Sequence, residues 1–192
     1  MTAALAATFY DRPVTEVAPD LLGCTLHYGD ASGLIVETEA YHEAEPACHA
    51  FGGIRPSTAV LFAAPGTAYV YRSYGIHALV NAVCEADGVG AAVLIRALTP
   101  LSGEPAMLAR RGRPEAELTN GPGKLTQALG IGLEHNGSSL ASGPVQIRAR
   151  TGARPEIVTG RRIGITKAVE LPWRFAIAGC PDVSRPRPAG WR

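Results

Sequence analysis

The strand-like runs of this 192-residue chain are not interleaved with helical ones. That order favours an α+β chain with a largely antiparallel sheet over βαβ units. Residues 34–41 (LIVETEAY), 68–73 (AYVYRS), 76–84 (IHALVNAVC) and 90–98 (GAAVLIRAL) are short and rich in β-branched or aromatic residues. Late strands are expected at 142–150 and 173–178, and helices only at 15–26, 105–113 and 123–131. GDASG (29–33) reads as a turn and Tyr74-Gly75 as a hairpin tip. Residues 42–58 read as a loop, Thr99-Pro100 as the end of the fourth strand, and SRPRPAGWR (184–192) as a tail. The expectation is one compact α+β domain over residues 1–192, with a curved, mostly antiparallel sheet flanked by helices.

Composition narrows the classes further. Hydrophobic residues make up 46% and charged ones 18%, as in globular proteins, and no apolar run is long enough for a membrane span. The N-terminus has no basic region and soon meets Asp11 and Arg12, a poor secretory signal. Cysteines 24, 48, 84 and 180 lie far apart and read as reduced thiols of a cytosolic protein. Abundant Ala, Gly and Arg point to a GC-rich bacterial genome. Net charge is only +1, but its distribution is lopsided. Residues 1–100 hold four arginines against ten acids, and residues 101–192 hold fourteen basic against seven acidic residues. A basic face is compatible with that split, and so is a merely solvated polar surface.

Strand alternation selects the first candidates for chemistry. In IVETEAY it puts Glu37, Glu39 and Tyr41 on one face and Val36, Thr38 and Ala40 on the other. Two carboxylates and an aromatic on one face suit a solvent-facing edge or the floor of a polar site. In AYVYRS, Tyr69, Tyr71 and Ser73 share a face, so Tyr71 either fills the core or walls a pocket. Together the two strands could frame an aromatic slot floored by a carboxylate, which suits a nucleobase. Tyr74, beside a glycine at a hairpin tip, has little to bury against. His42, Glu43, Glu45, Cys48 and His49 crowd one loop, but with neither H-E-x-x-H nor P-C-x-x-C spacing. Asn120-Gly-Pro-Gly-Lys124 opens a helix whose first amides could cap it or meet a phosphate; Leu118 stands where a Walker motif needs Gly.

Six ordered stretches resemble the 3-methyladenine (alkyladenine) DNA glycosylase family: IVETEAY (35–41), CHAFGG (48–53), PGTAYVYRSYGIHALVN (65–81), VLIRALTP (93–100), GPGKLTQALGI (121–131) and RRIGITKAVELPWRF…AG (161–179). The resemblance implies a catalytic Glu39 as general base, with Arg96 holding a backbone phosphate near the reacting sugar. It implies a base pocket of Tyr41, His49, Tyr71 and Asn81, with Asn81 rejecting the 2-amino group of normal guanine. Tyr74 would intercalate, and Arg55 and Lys124 would contact DNA phosphate. The substrate would be double-stranded DNA containing damaged purines, handled by a cytoplasmic monomer without metal or cofactor. One stretch departs from the family: Ser57-Thr58 and Leu61 stand where an Arg-Asn pair and a Met are usual.

The implied chemistry is excision of an alkylated or deaminated purine flipped from the duplex, by water attacking C1′. The only lysines, Lys124 and Lys167, lie outside the proposed pocket strands, so the expectation is a monofunctional enzyme without a Schiff base. Competing readings are a damaged-DNA-binding module with impaired catalysis and a metal-dependent hydrolase or deaminase using the 42–49 loop. The glycosylase reading requires the carboxylate of Glu39 to open onto a tyrosine-lined hollow.

Overall fold

A computed structural model describes residues 2–188, 190 and 191. Its eight strands are β1 (Thr25–Tyr28), β2 (Ala31–His42), β3 (Ala68–Ser73), β4 (His77–Val83), β5 (Ala91–Ser102), β6 (Val145–Arg148), β7 (Ile157–Gly160) and β8 (Arg174–Ile177). They form a curled antiparallel sheet in the order β3-β4-β5-β2-β1-β6. The twelve-residue β2 organises it. β5 runs along one edge of β2, while the other edge is divided between β1 at residues 31–34 and β8 at residues 37–39. β7 extends the sheet from β8. The α+β class and antiparallel sheet inferred from the sequence are thus borne out.

Four helices, α1 (Ala7–Tyr10), α2 (Val14–Asp20), α3 (Glu104–Arg111) and α4 (Pro122–Leu129), accompany the sheet. Leu21, Leu22, Leu26, Ile35, Ile95, Leu98, Met107, Leu125 and Leu129 are fully buried in one cluster. Removing such side chains from water supplies most of the folding drive, about 1.5–3 kcal/mol each. Thr38, on the same side of β2, donates its hydroxyl to the Ala18 carbonyl at 2.8 Å and ties α2 to the strand.

Several boundaries differ from the sequence reading. The helix expected at 15–26 stops at Asp20, and Thr25 begins a strand. Pro19 removes a backbone donor there, and Gly23, at φ +82°, turns the chain. The turn expected at 29–33 is shorter, because Ala31–Gly33 already pair with β1. β5 does not end at Thr99-Pro100 but continues to Ser102. Pro100 is tolerated because it faces Gly33 beside a register shift, where the ladder is already interrupted. The 184–192 segment is not a free tail: Ser184 and Trp191 are buried, and Trp191 stacks 4.4 Å from the Arg174 guanidinium. Ala189 and Arg192 lie outside the described residues.

Two bulges matter most for the site. Ile35 faces Leu98 and Glu37 faces Ala97, so Val36 is an extra residue on β2. Thr38 then faces Ile95, so Arg96 is the extra residue on β5. The second bulge restores the register that the first one shifts. Val36 therefore leaves the face of Thr38 and Ala40, contrary to simple alternation, and packs with Ala97, Ala176, Val183 and Trp191.

Candidate active site

A cleft of about 1210 Å³ opens on the face of the sheet that carries Tyr41, Tyr71, Asn81 and Arg96. Its walls begin with strand alternation. Tyr69 and Tyr71 point the same way from β3, with stacked rings 5.3 Å apart. The turn after residue 48 brings His49 edge-on to Tyr71, ring centres 4.7 Å apart, and its Nδ1 lies 3.3 Å from the Tyr69 hydroxyl. Burial lowers the pKa of His49 and pushes the phenols of Tyr69 and Tyr71 up to about 12, so both tyrosines stay neutral in ordinary buffers. Asn81 sits on β4 opposite Tyr69 and donates its amide to the Tyr69 carbonyl at 3.0 Å. Leu61 is buried in the cleft lining.

Beneath these walls lies a charged layer. Glu39 has no exposed surface. Its Oε2 accepts from the Tyr41 hydroxyl at 2.8 Å and from Arg96 Nη1 at 3.0 Å. Its Oε1 accepts from the Ile163 amide at 2.8 Å. All three partners are donors, a set matched to an ionised carboxylate. Glu39 therefore does not open straight onto the cleft; Tyr41, Arg96 and Ile163, which do line it, cover the carboxylate. A buried charge survives only when paired and hydrogen-bonded, and this packing meets that condition. Tyr41 is held protonated, because burial and then the Glu39 charge raise its pKa.

Arg96 bridges both carboxylates of β2. Its Nε donates to Glu37 Oε1 at 3.0 Å, and its Nη2 donates to Ser184 Oγ at 3.2 Å. Burial opposes its charge, but Glu39 and Glu37 outweigh that cost and raise its pKa. A guanidinium carries five N–H groups, and those not engaged with Glu37, Glu39 and Ser184 can serve a ligand in the cleft.

The rim is basic. Arg72, Lys124, Lys167 and Arg185 all line the cleft, so both lysines border it without lying on its strands. Lys124 follows the start of α4 and donates to Asn120 Oδ1 at 2.8 Å. Gly123 lets α4 approach β4 this closely, since a Cβ there would lie 2.8 Å from the His77 Cβ. Tyr74 stands at the hairpin tip between β3 and β4, 88% exposed and at φ 49°. Arg55 is not part of the cleft lining; its guanidinium folds back on the Gly52 carbonyl. Thr58 is buried and staples that loop, accepting from the Arg55 amide at 3.0 Å and donating to the Gly53 carbonyl at 3.2 Å.

Glu39, Tyr41, His49, Tyr71, Asn81 and Arg96 thus converge, with Tyr74 and Lys124 at the rim. The residues of the 42–49 loop scatter instead. Glu43 accepts from the Gly90 amide, Glu45 pairs with Arg162, and Cys48 accepts from the Ala50 amide. Among the described residues, no group of three His, Cys, Asp or Glu is placed to share a metal ion. Sequence reasoning missed Ile163, Arg162 and Ser184, which act through backbone groups or from distant segments. The Arg161-Arg162 pair within a resembling motif is the one signal that could have drawn attention to them.

Comparison with known proteins follows the same direction. The family model for methylpurine-DNA glycosylase (MPG) matches residues 8–181. A protein of Rhodopseudomonas palustris (strain HaA2), provisionally named a 3-methyladenine DNA glycosylase, is 56% identical over 183 residues, 95% of this chain and 90% of that one. Similarly named proteins of Rubrobacter xylanophilus and Methanoculleus marisnigri are 52% and 48% identical, over 83% and 94% of this chain and 86% and 98% of theirs.

Proposed function

Because the chain belongs to the methylpurine-DNA glycosylase family, we propose that it excises alkylated or deaminated purines from double-stranded DNA by water attack at C1′ of a flipped nucleotide. The observation that carries this reading is the Glu39 carboxylate held by Tyr41 and Arg96 directly beneath an aromatic cleft. A purine turned into the cleft would stack against Tyr41, Tyr71 and His49, at about 1–3 kcal/mol for such a contact. Asn81 at the wall would meet its edge and select against a 2-amino group.

The carboxylate offers about four acceptor positions. Oε2 is filled by Tyr41 and Arg96, whereas Oε1 keeps one position beyond the Ile163 amide. We assign the nucleophilic water to that position. An alkylated purine carries positive charge and leaves readily, so the reaction needs a base for water and negative charge near the sugar. Glu39 supplies both. The uncommitted N–H groups of Arg96 face the remaining task, a phosphate oxygen beside the reacting sugar. Glu39, Arg96 and the aromatic walls already make a complete site, so this reading calls for no second subunit. Neither lysine bonds Glu39, whose partners are Tyr41, Arg96 and the Ile163 amide, which suits a monofunctional enzyme that leaves the strand intact.

The test is single-turnover excision on duplexes carrying hypoxanthine or ethenoadenine, followed by alkali cleavage. Glu39→Gln should lose about 10²-fold or more in rate while still binding lesion duplex. Near-native turnover of that variant, or no excision by the wild type, rejects the reading. A borohydride-trapped adduct with either lysine rejects its monofunctional part.

A further inference from the structure

The second carboxylate of β2 has no part in the chemistry described so far, yet it accepts four hydrogen bonds. Glu37 has no exposed surface and does not line the cleft. Its Oε1 accepts from Arg96 Nε at 3.0 Å, Arg174 Nε at 2.7 Å and Ser184 Oγ at 2.8 Å. Its Oε2 accepts from the Ser184 amide at 2.5 Å. Ser184 also receives Arg96 Nη2, and its carbonyl takes Arg174 Nη2 at 3.1 Å. Ser184 lies outside the 8–181 stretch matched by the family model.

We propose that Glu37 and Ser184 are positioning residues for excision: together they hold Arg96 against Glu39 and take up part of its charge. The proposal rests on Glu39 being the general base. The physical argument is a balance of two acids and two guanidiniums in one dry layer. With Glu37 ionised, Arg96 divides itself between two carboxylates, and Arg174 is neutralised by Glu37. Without that charge, two buried cations would act on Glu39 alone. Arg96 would then close more tightly on Oε2, and the carboxylate would become a weaker base for water.

The charged and titratable groups around Glu39 come from every neighbouring element. They are Glu37 and Tyr41 on β2, Tyr71 on β3, Arg96 on β5, Arg174 on β8, and Arg162 beside Ile163 with its partner Glu45. Glu45 neutralises Arg162, which leaves Glu37 as the acid that shares Arg96 with Glu39 and pairs Arg174. Neutralising Glu37 should therefore move the acid limb of the rate profile to lower pH.

The experiment measures single-turnover rates across pH for the full-length wild type, Glu37→Gln, Ser184→Ala, Ser184→Thr and Glu39→Gln on one ethenoadenine duplex. Use of one substrate keeps the titration of the lesion common to all. Glu37→Gln should shift the acid limb down by about one pH unit. It should also lower the plateau rate about tenfold or more, as expected when a reacting group is misplaced. Affinity for the lesion duplex should stay within about twofold, because Glu37 does not touch the cleft. Ser184→Ala should lower the plateau rate, and Ser184→Thr should restore it. If Glu37→Gln does not fold by circular dichroism, the Ser184 pair decides the matter. An inactive Glu39→Gln beside unchanged rates and pH profiles for the folded Glu37 and Ser184 variants overturns this inference alone. An active Glu39→Gln overturns the base assignment, and this inference with it.

Discussion

Arg162 meets Glu45 through both terminal nitrogens, at 2.6 and 3.0 Å, while its guanidinium lies 4.6 Å from the centre of the Tyr41 ring. One buried arginine thus clamps the 42–49 loop, an aromatic wall of the cleft, and the segment whose next residue, Ile163, donates to Glu39. It also donates to the Ala40 carbonyl at 2.9 Å, fixing its height along β2.

Removal of either member of that pair leaves a charge buried without its partner. Glu45→Ala and Arg162→Ala should each destabilise the fold by about 3–5 kcal/mol in urea unfolding. A loss below about 1 kcal/mol would mean that water reaches the pair readily.

Tyr74 is exposed, and its positive φ suits asparagine better than most residues. Tyr74→Asn should therefore unfold at the wild-type temperature within a few degrees. It should nevertheless weaken lesion-duplex binding by about 1–3 kcal/mol, the scale of one aromatic stack. Equal binding by the two proteins removes the wedge role.

His49 is kept neutral by burial, which lowers its pKa in the folded state. The unfolded chain binds this proton at higher pH than the folded one. Its contribution to stability is complete above the ordinary value of about 6.5 and drains away as pH falls below it. On going from about pH 7.5 to about 5.5, the wild type should lose more melting temperature than His49→Gln. Identical losses would show that the ring accepts a proton in place.

The basic rim should make duplex affinity fall with salt. Lys124→Ala should weaken binding to damaged and undamaged duplexes alike, and should reduce the log–log salt slope by about one. An unchanged slope places Lys124 away from the phosphates.

Legibility in the sequence followed the range over which the forces act. Alternation alone put Glu37, Glu39 and Tyr41 on one face and marked Tyr71, since neighbouring side chains of a strand must diverge. The tip at Tyr74-Gly75 was readable because few residues accept positive φ. Choosing Glu39 over Glu37 took the family resemblance. β1 and β7, four residues each, carry too short a pattern to detect; β1 exists because the longer β2 holds it, and β7 because β8 extends the sheet to it. Ser184 and Arg162 were invisible for another reason: each lies more than 100 positions from the carboxylate it serves, at 147 and 117 residues.

The paired bulges at Val36 and Arg96 have a consequence for how such a protein can change. A substitution at either place alters one side chain. Loss of the single codon for Val36 would instead force one half of β2 to slip past β5. Either Leu34 and Ile35 would abandon their packing, or both acids would swing into the oily interior. Descent with point replacements is open to this strand, whereas a one-residue gap between 35 and 38 is all but forbidden.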